Sequence, residues 1–266
     1  ADAANIPLYL LSKEFNNHGK VVIQGDGGDE LFAGYRYHSI LLYSGLLSKL
    51  PRIGFQSNNS SFENYLSRFN RLLDISKEKN QGLKVAKIMT MELFKETPLR
   101  IFKKEKQISF NKYTDPFLVF KNLNNRLKDR ELFEKIIFNE LCLQLPSQFL
   151  TKVDRASMAS GVEARVPLLD DQFAEFSLSI PYYWNINFFR RKILLRKYLN
   201  RRLPKSLANS PKSGFGVPYS TWIYSKLFND VKESILDYQF IEKFGLDKFK
   251  VNELLLSAKT NNNIRS

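Results

Sequence analysis

Apolar residues recur every three or four positions through most of the chain, the spacing of a buried helical stripe. Leu8, Leu10, Leu11 and Phe15 make such a stripe over residues 6–15, with Pro7 in a first-turn position and Gly19 in the polar break that follows. The pattern changes at residues 20–24. Val21, Val22 and Ile23 are consecutive, apolar and β-branched, as in a short strand buried on both faces. Residues 30–50 return to helical spacing as one helix or a pair, weakened at Gly34 and Gly45 and ended by Pro51. A polar loop then leads to a stripe of Phe62, Tyr65, Leu66, Phe69, Leu72, Leu73 and Ile75, with Ser60 or Ser61 as its cap. Shorter helices are predicted over 83–94 and 98–104, and a loop over 110–113. A strong helix runs from Asp129 or Glu131 to Leu145, where Pro146 stops it. After Ile23 no run reads as a central parallel strand. One strand makes a poor sheet, so either a strand escapes the pattern or the rest of the sheet lies outside this chain.

The strand runs directly into Gln24-Gly25-Asp26-Gly27-Gly28-Asp29-Glu30-Leu31-Phe32, a glycine-rich turn opening onto a helix. Ligands of open α/β sheets sit in such loops, at the carboxyl ends of strands. The glycines let a ligand approach the backbone. Asp26 and Asp29 would repel a phosphate, but Mg²⁺ bridges carboxylate to phosphate and removes that conflict. The turn therefore suits a Mg–nucleotide or Mg–pyrophosphate site. It equally suits a solvated capping turn, because Asp29 and Glu30 favour a helix start.

Two later stretches carry further chemistry. Residues 151–170 alternate charge among small residues: Lys152, Asp154, Arg155, Glu163, Arg165 and Asp170. A salt-bridge network is the simpler account of Glu163, Arg165 and Asp170, while Asp154 and Arg155 remain site candidates. Arg191 to Arg196 reads as a basic amphipathic helix. It leads to Pro211-Lys212-Ser213-Gly214-Phe215-Gly216-Val217-Pro218, where a framed loop can aim the Lys212 ammonium at a phosphate.

Composition narrows the class. The chain has 266 residues, 43% hydrophobic and 14% aromatic, enough for a sizeable core. No apolar run is long enough to span a membrane. The one cysteine, Cys142, excludes a disulfide framework within the chain, fits a reducing cytoplasm, and reads as a buried small hydrophobe. His18 and His38 are expected at a surface or interface, not in a metal cluster. The net charge of +14 is spread along the chain, a solvated basic surface more than a nucleic-acid footprint.

These three stretches, in this order, resemble the synthetase domain of the glutamine-hydrolysing asparagine synthetase family. The family pattern is roughly a strand, then S-G-D/E-G-x-D-E-L/V-F-G-G-Y, later D-R-x-S-M-A-x-x-x-E-x-R-V-P-F/L-L-D, and then R-x-K-x-G-F-x-x-P followed by Trp. The chain answers with residues 24–35, residues 154–170, and Lys212 to Pro218 with Trp222. The resemblance covers nearly the whole chain. It implies an α/β fold of the ATP-pyrophosphatase type, with a parallel sheet backed by helices, of which this chain holds a mostly helical part with one clear strand near residues 20–24. It implies activation of aspartate by MgATP through β-aspartyl-AMP, attack by ammonia, and glutamine as the ammonia source. Gln24, Gly25 and Gly27 would lie near ATP. Asp29 would help hold Mg²⁺ and pyrophosphate, and Asp26 would orient the acceptor or assist proton transfer. Lys212 would stabilise the α-phosphorus and the departing pyrophosphate, with Asp154 and Arg155 on the acceptor side.

Departures accompany the match. Gln24 stands where the family usually has Ser, and Ala33 where it usually has Gly. The family's S-G-G-x-D-S pyrophosphate loop and its glutaminase domain are not in the sequence. Residues 1–266 are thus expected to be part of a synthetase domain, cytoplasmic, with no nucleic-acid or membrane partner and with a homodimer compatible with the family. Alone they are expected to bind ATP poorly. The alternatives are a relative that amidates another acid, such as a sugar acid or peptide carboxylate, and an inactive scaffold.

Overall fold

The protein is described by a computed structural model, which covers residues 4–54, 60–89, 101–113, 115, 117–210 and 219–260. The chain opens with α1 (Asn5–Phe15), followed by strand β1 (Val21–Ile23). Where the periodicity predicted one helix or a pair, three short ones form: α2 (Gly28–Leu31), α3 (Arg36–Leu41) and α4 (Ser44–Leu47). Next come α5 (Ser60–Ser76), α6 (Gln81–Met89), α7 (Lys104–Tyr113), α8 (Leu118–Arg126) and α9 (Leu132–Asn139). A π-helix (Glu140–Leu150), α10 (Thr151–Met158), strand β2 (Glu163–Arg165) and α11 (Asp171–Ser179) complete the middle of the chain. The last elements are α12 (Ile193–Leu199), α13 (Lys205–Ala208), α14 (Tyr219–Tyr224), α15 (Phe228–Ile235), α16 (Tyr238–Phe244) and α17 (Lys248–Thr260).

Three sequence-based expectations are corrected. A second strand exists: β2 pairs parallel to β1, Val21 opposite Glu163 and Ile23 opposite Arg165. It is too short and too charged to show an alternation, and only Val162 just before it is fully buried. Pro146 does not stop its helix. It lies inside the π-helix, whose wider turn eases the clash a proline ring makes with the preceding turn, and the rod continues from Leu132 to Met158. Residues 110–113, expected as a loop, end α7. The prediction over 83–94 holds as far as Met89, and residues 90–100 lie outside the described ones.

The rod joins the core to the sheet. At its start, Ile136 packs with Leu41 of α3 and Val85 of α6, and all three are buried. Each such side chain contributes roughly 1.5–3 kcal/mol. Phe133 packs beside Ala33 and Ile186. At its end, α10 packs on α1 and β2. A separate cluster of Ile241, Leu246 and Val251 ties α16 and α17 to residues 101–102. The start of the chain corrects two further expectations: α1 has no buried residue despite its apolar spacing, and β1 is not a buried strand, with Val21 43% and Ile23 73% exposed. Among the described residues no helix is long and apolar enough to cross a membrane.

Candidate functional site

The parallel pairing sets the turns after β1 and β2 side by side. Gln24 N–H donates to Arg165 O at 2.8 Å, so both strands deliver their carboxyl ends to one place. Gly27, the N-cap of α2, has φ 86°, and a Cβ there would fall 2.2 Å from Leu169 Cδ2. A Cβ on Gly28 would meet Leu168 Cδ1 at 3.0 Å. The first and second sequence motifs are therefore packed against each other through glycines. Gly25 has open space instead.

Asp29 lies on the first turn of α2, and its Oδ1 pairs with Lys192 Nζ at 2.9 Å, both side chains mostly buried. Lys192 arrives from the N-cap of α12 with φ 53°, a left-handed conformation unusual for a side-chain-bearing residue. Gly34 makes the pair fit: a Cβ on it would sit 1.8 Å from Asp29 Oδ1 and 2.3 Å from Lys192 Cε. Ala33, with φ 55°, occupies a left-handed position where a glycine would be unstrained.

Asp26 is half-buried. Burial raises its carboxyl above the usual range, the Lys152 ammonium lowers it, and the Asp29 charge raises it again. Asp26 thus shares one electrostatic neighbourhood with Asp29 and Lys152. Lys152 projects from the first turn of α10 and also lies 5.1 Å from the Phe149 ring centroid.

A buried polar layer supports this turn from below. Glu30, 2% exposed, accepts a hydrogen bond from Tyr35 Oη at 2.5 Å. Tyr35 stacks on Tyr37, with ring centroids 5.2 Å apart. Tyr37 Oη donates to Glu140 Oε1, and His38 Nε2 lies 2.8 Å from the same oxygen. Burial is the main cause that raises the Glu30 carboxyl and both phenols above their ordinary values. His38 is therefore a fully buried partner of Glu140, not a surface residue, and Cys142 is exposed, not buried.

The structure brings together Gln24, Gly25, Asp26, Gly27 and Asp29, while Asp154 and Arg155 are exposed on α10. Glu163 and Arg165 do pair, at 2.8 Å on the surface, while Asp170 caps α11 by accepting from Phe173 N–H. Lys212 and the loop 211–218 lie outside the described residues. Lys152 and Lys192 were missed as site residues. Lys152 lies in the charged stretch 151–170, two residues before the second motif begins at Asp154, whereas Lys192 sits in a basic run with no motif of its own.

Among the described residues no three His, Cys, Asp or Glu side chains are arranged to hold a metal ion. Mg²⁺ is commonly held by one or two carboxylates together with phosphate oxygens. Asp29, close enough to Asp26 to shift it, fits that role.

The asparagine synthase family profile matches residues 1–265. Asparagine synthetase [glutamine-hydrolyzing] 1 of Bacillus subtilis (strain 168) is 27% identical over 252 residues, covering 90% of this chain and 37% of that protein. A Mycobacterium bovis protein provisionally named a glutamine-hydrolysing asparagine synthetase is 26% identical over 232 residues, 84% of this chain and 33% of its own length. The chain thus spans about a third of the length of these two curated relatives. No solved structure matches it. With a family profile matched from end to end and the first two motifs packed into one site, the chain belongs to the asparagine synthase family.

Proposed function

We propose that the protein amidates aspartate to asparagine at the expense of ATP, with ammonia drawn from glutamine, on an α/β fold of the ATP-pyrophosphatase type. The observation that carries this reading is the Asp29–Lys192 pair beside Asp26, at the carboxyl ends of two parallel strands. In the proposed reaction a β-carboxylate oxygen of aspartate attacks the α-phosphorus of ATP. That P–O bond forms as the bond to the bridging oxygen breaks, giving β-aspartyl-AMP and pyrophosphate. Ammonia then attacks the acyl carbon, AMP leaves, and a proton is lost to a base.

The chain's residues suit these tasks. Gln24, Gly25 and Gly27 offer backbone beside the nucleotide. Asp29, with Asp26 nearby, would hold Mg²⁺, which supplies positive charge to the phosphate oxygens. Lys192 adds a second cation there, and Lys212, matched by its motif, would act on the departing pyrophosphate. Such transfers depend on cations and positioning more than on covalent help. Asp26 is the candidate to take the proton from the ammonia nitrogen, because its raised carboxyl is a better base than a solvated one. Lys152 is better placed than Asp154 or Arg155 to hold an acceptor carboxylate beside Asp26.

Release of pyrophosphate and AMP from MgATP and ammonium tests the reading, using the full-length protein with and without aspartate. Release that requires aspartate is expected. Release that requires a different acid, or none at all, would refute it.

A further inference from the structure

Beside the Asp29–Lys192 pair the molecule opens a cleft of about 1090 Å³ between the α3 start, the 189–193 turn, α12 and α13. Arg36, Arg190, Arg191, Arg196, Lys197 and Lys205 line it in addition to Lys192, and none of its described lining residues is Asp or Glu. Gathering like charges around one concave space is unfavourable unless an anion fills it. At Arg191 burial is the first cause that pushes the guanidinium below its ordinary value, Arg36 and Arg196 add to it, and the Asp29 carboxylate offsets part of it. Arg196 is held in place, because its two terminal nitrogens donate to Ala208 O at 3.0 Å and Ser210 O at 3.2 Å. Arginine forks match phosphate oxygens in pairs, whereas lysines act as point charges. The space far exceeds one phosphate group and suits a chain of them.

We propose that this cleft is an inorganic polyphosphate site, lying beyond the Asp29–Lys192 pair, which receives pyrophosphate as it leaves and takes tripolyphosphate more tightly. The cation ring supplies the affinity, and the contiguity with Lys192 supplies the path. The proposed function enters only in naming pyrophosphate as the natural occupant.

Titration calorimetry of the full-length protein without Mg²⁺ at low salt tests it, with tripolyphosphate, pyrophosphate and ATP as probes. Tripolyphosphate is expected to bind about tenfold tighter than pyrophosphate or ATP. Equal affinity for ATP would assign the cleft to the nucleotide's own phosphates and overturn a separate site. The triple variant Arg190→Ser, Lys197→Ser, Lys205→Ser is expected to weaken tripolyphosphate about tenfold or more with an unchanged melting temperature. Should that variant melt early, the single exposed change Lys205→Glu is expected to weaken binding about fivefold. A control triple, Lys13→Ser, Lys77→Ser, Lys104→Ser, removes the same charge outside the cleft and should leave the affinity within about twofold. Equal loss in both triples, or displacement of tripolyphosphate by a short single-stranded RNA, would overturn the proposal. Asparagine formation without tripolyphosphate binding refutes this site alone. Binding without asparagine formation refutes the proposed function alone.

Discussion

Gly34 has no room for a side chain, because Asp29 and Lys192 meet across its Cα. Gly34→Ala should push that pair apart and leave two mostly buried charges poorly partnered. A fall in stability of about 3 kcal/mol is expected, since breaking a buried pair costs about that much. Urea unfolding measures it, and a change under about 0.5 kcal/mol would contradict the packing described. Glu30 gives a prediction with a sign. Burial holds its carboxyl above the usual range, so the fold favours the protonated form. That contribution is complete below the ordinary carboxylate value and is lost as pH rises through the folded one. Glu30→Gln is neutral at every pH. Its stability relative to the parent should therefore improve from about pH 4 to about pH 8 by urea unfolding; a flat or falling difference would contradict the burial. Asp26 and Asp29 were legible as a pair because glycines and carboxylates after a strand are a local signal. Lys192 was not, since its role depends on Asp29, far away in sequence, and on its own left-handed backbone. His38 was misjudged for the same reason: its partner Glu140 is 102 positions away.

At the scale of elements, the rod of α9, the π-helix and α10 links the buried Glu140 to Lys152 at the site. Tyr37→Phe removes one donor to the Glu140 carboxylate and leaves His38 as the other. A loss of about 1–3 kcal/mol is expected by denaturant unfolding, the cost of a buried acceptor left short of a donor. No loss would mean that the polar layer does not support the turn above it. Pro146 deceived the sequence reading because a proline ordinarily ends a helix; here the register widens around it, and Thr151 Oγ1 donates to the Pro146 carbonyl at 2.7 Å. β2 escaped because a three-residue strand of Glu163, Ala164 and Arg165 shows neither alternation nor an apolar run. What fixes it is pairing: Glu163 N–H donates to Lys20 O at 2.8 Å. The helices α6 and α9 were readable, since Val85 and Ile136 meet in one buried core.

For the whole molecule, α1 and the edge of the two-stranded sheet leave Leu10, Leu11, Val21 and Ile23 exposed. Parallel sheets are ordinarily covered on both faces, and open edges and apolar patches invite association. The 266 residues alone should therefore self-associate, with light scattering that rises with concentration; a monodisperse monomer throughout would contradict this. The family was legible because three motifs stand in order, and the matched profile agrees. The central claim concerns the chemistry at Asp26, Asp29 and Lys192. It is tested most directly by giving the full-length protein aspartate labelled with oxygen-18 in its β-carboxylate, together with MgATP and ammonium, and weighing the AMP. Formation of an acyl adenylate predicts that one labelled oxygen passes into each AMP. AMP that carries no label while asparagine forms would contradict that account.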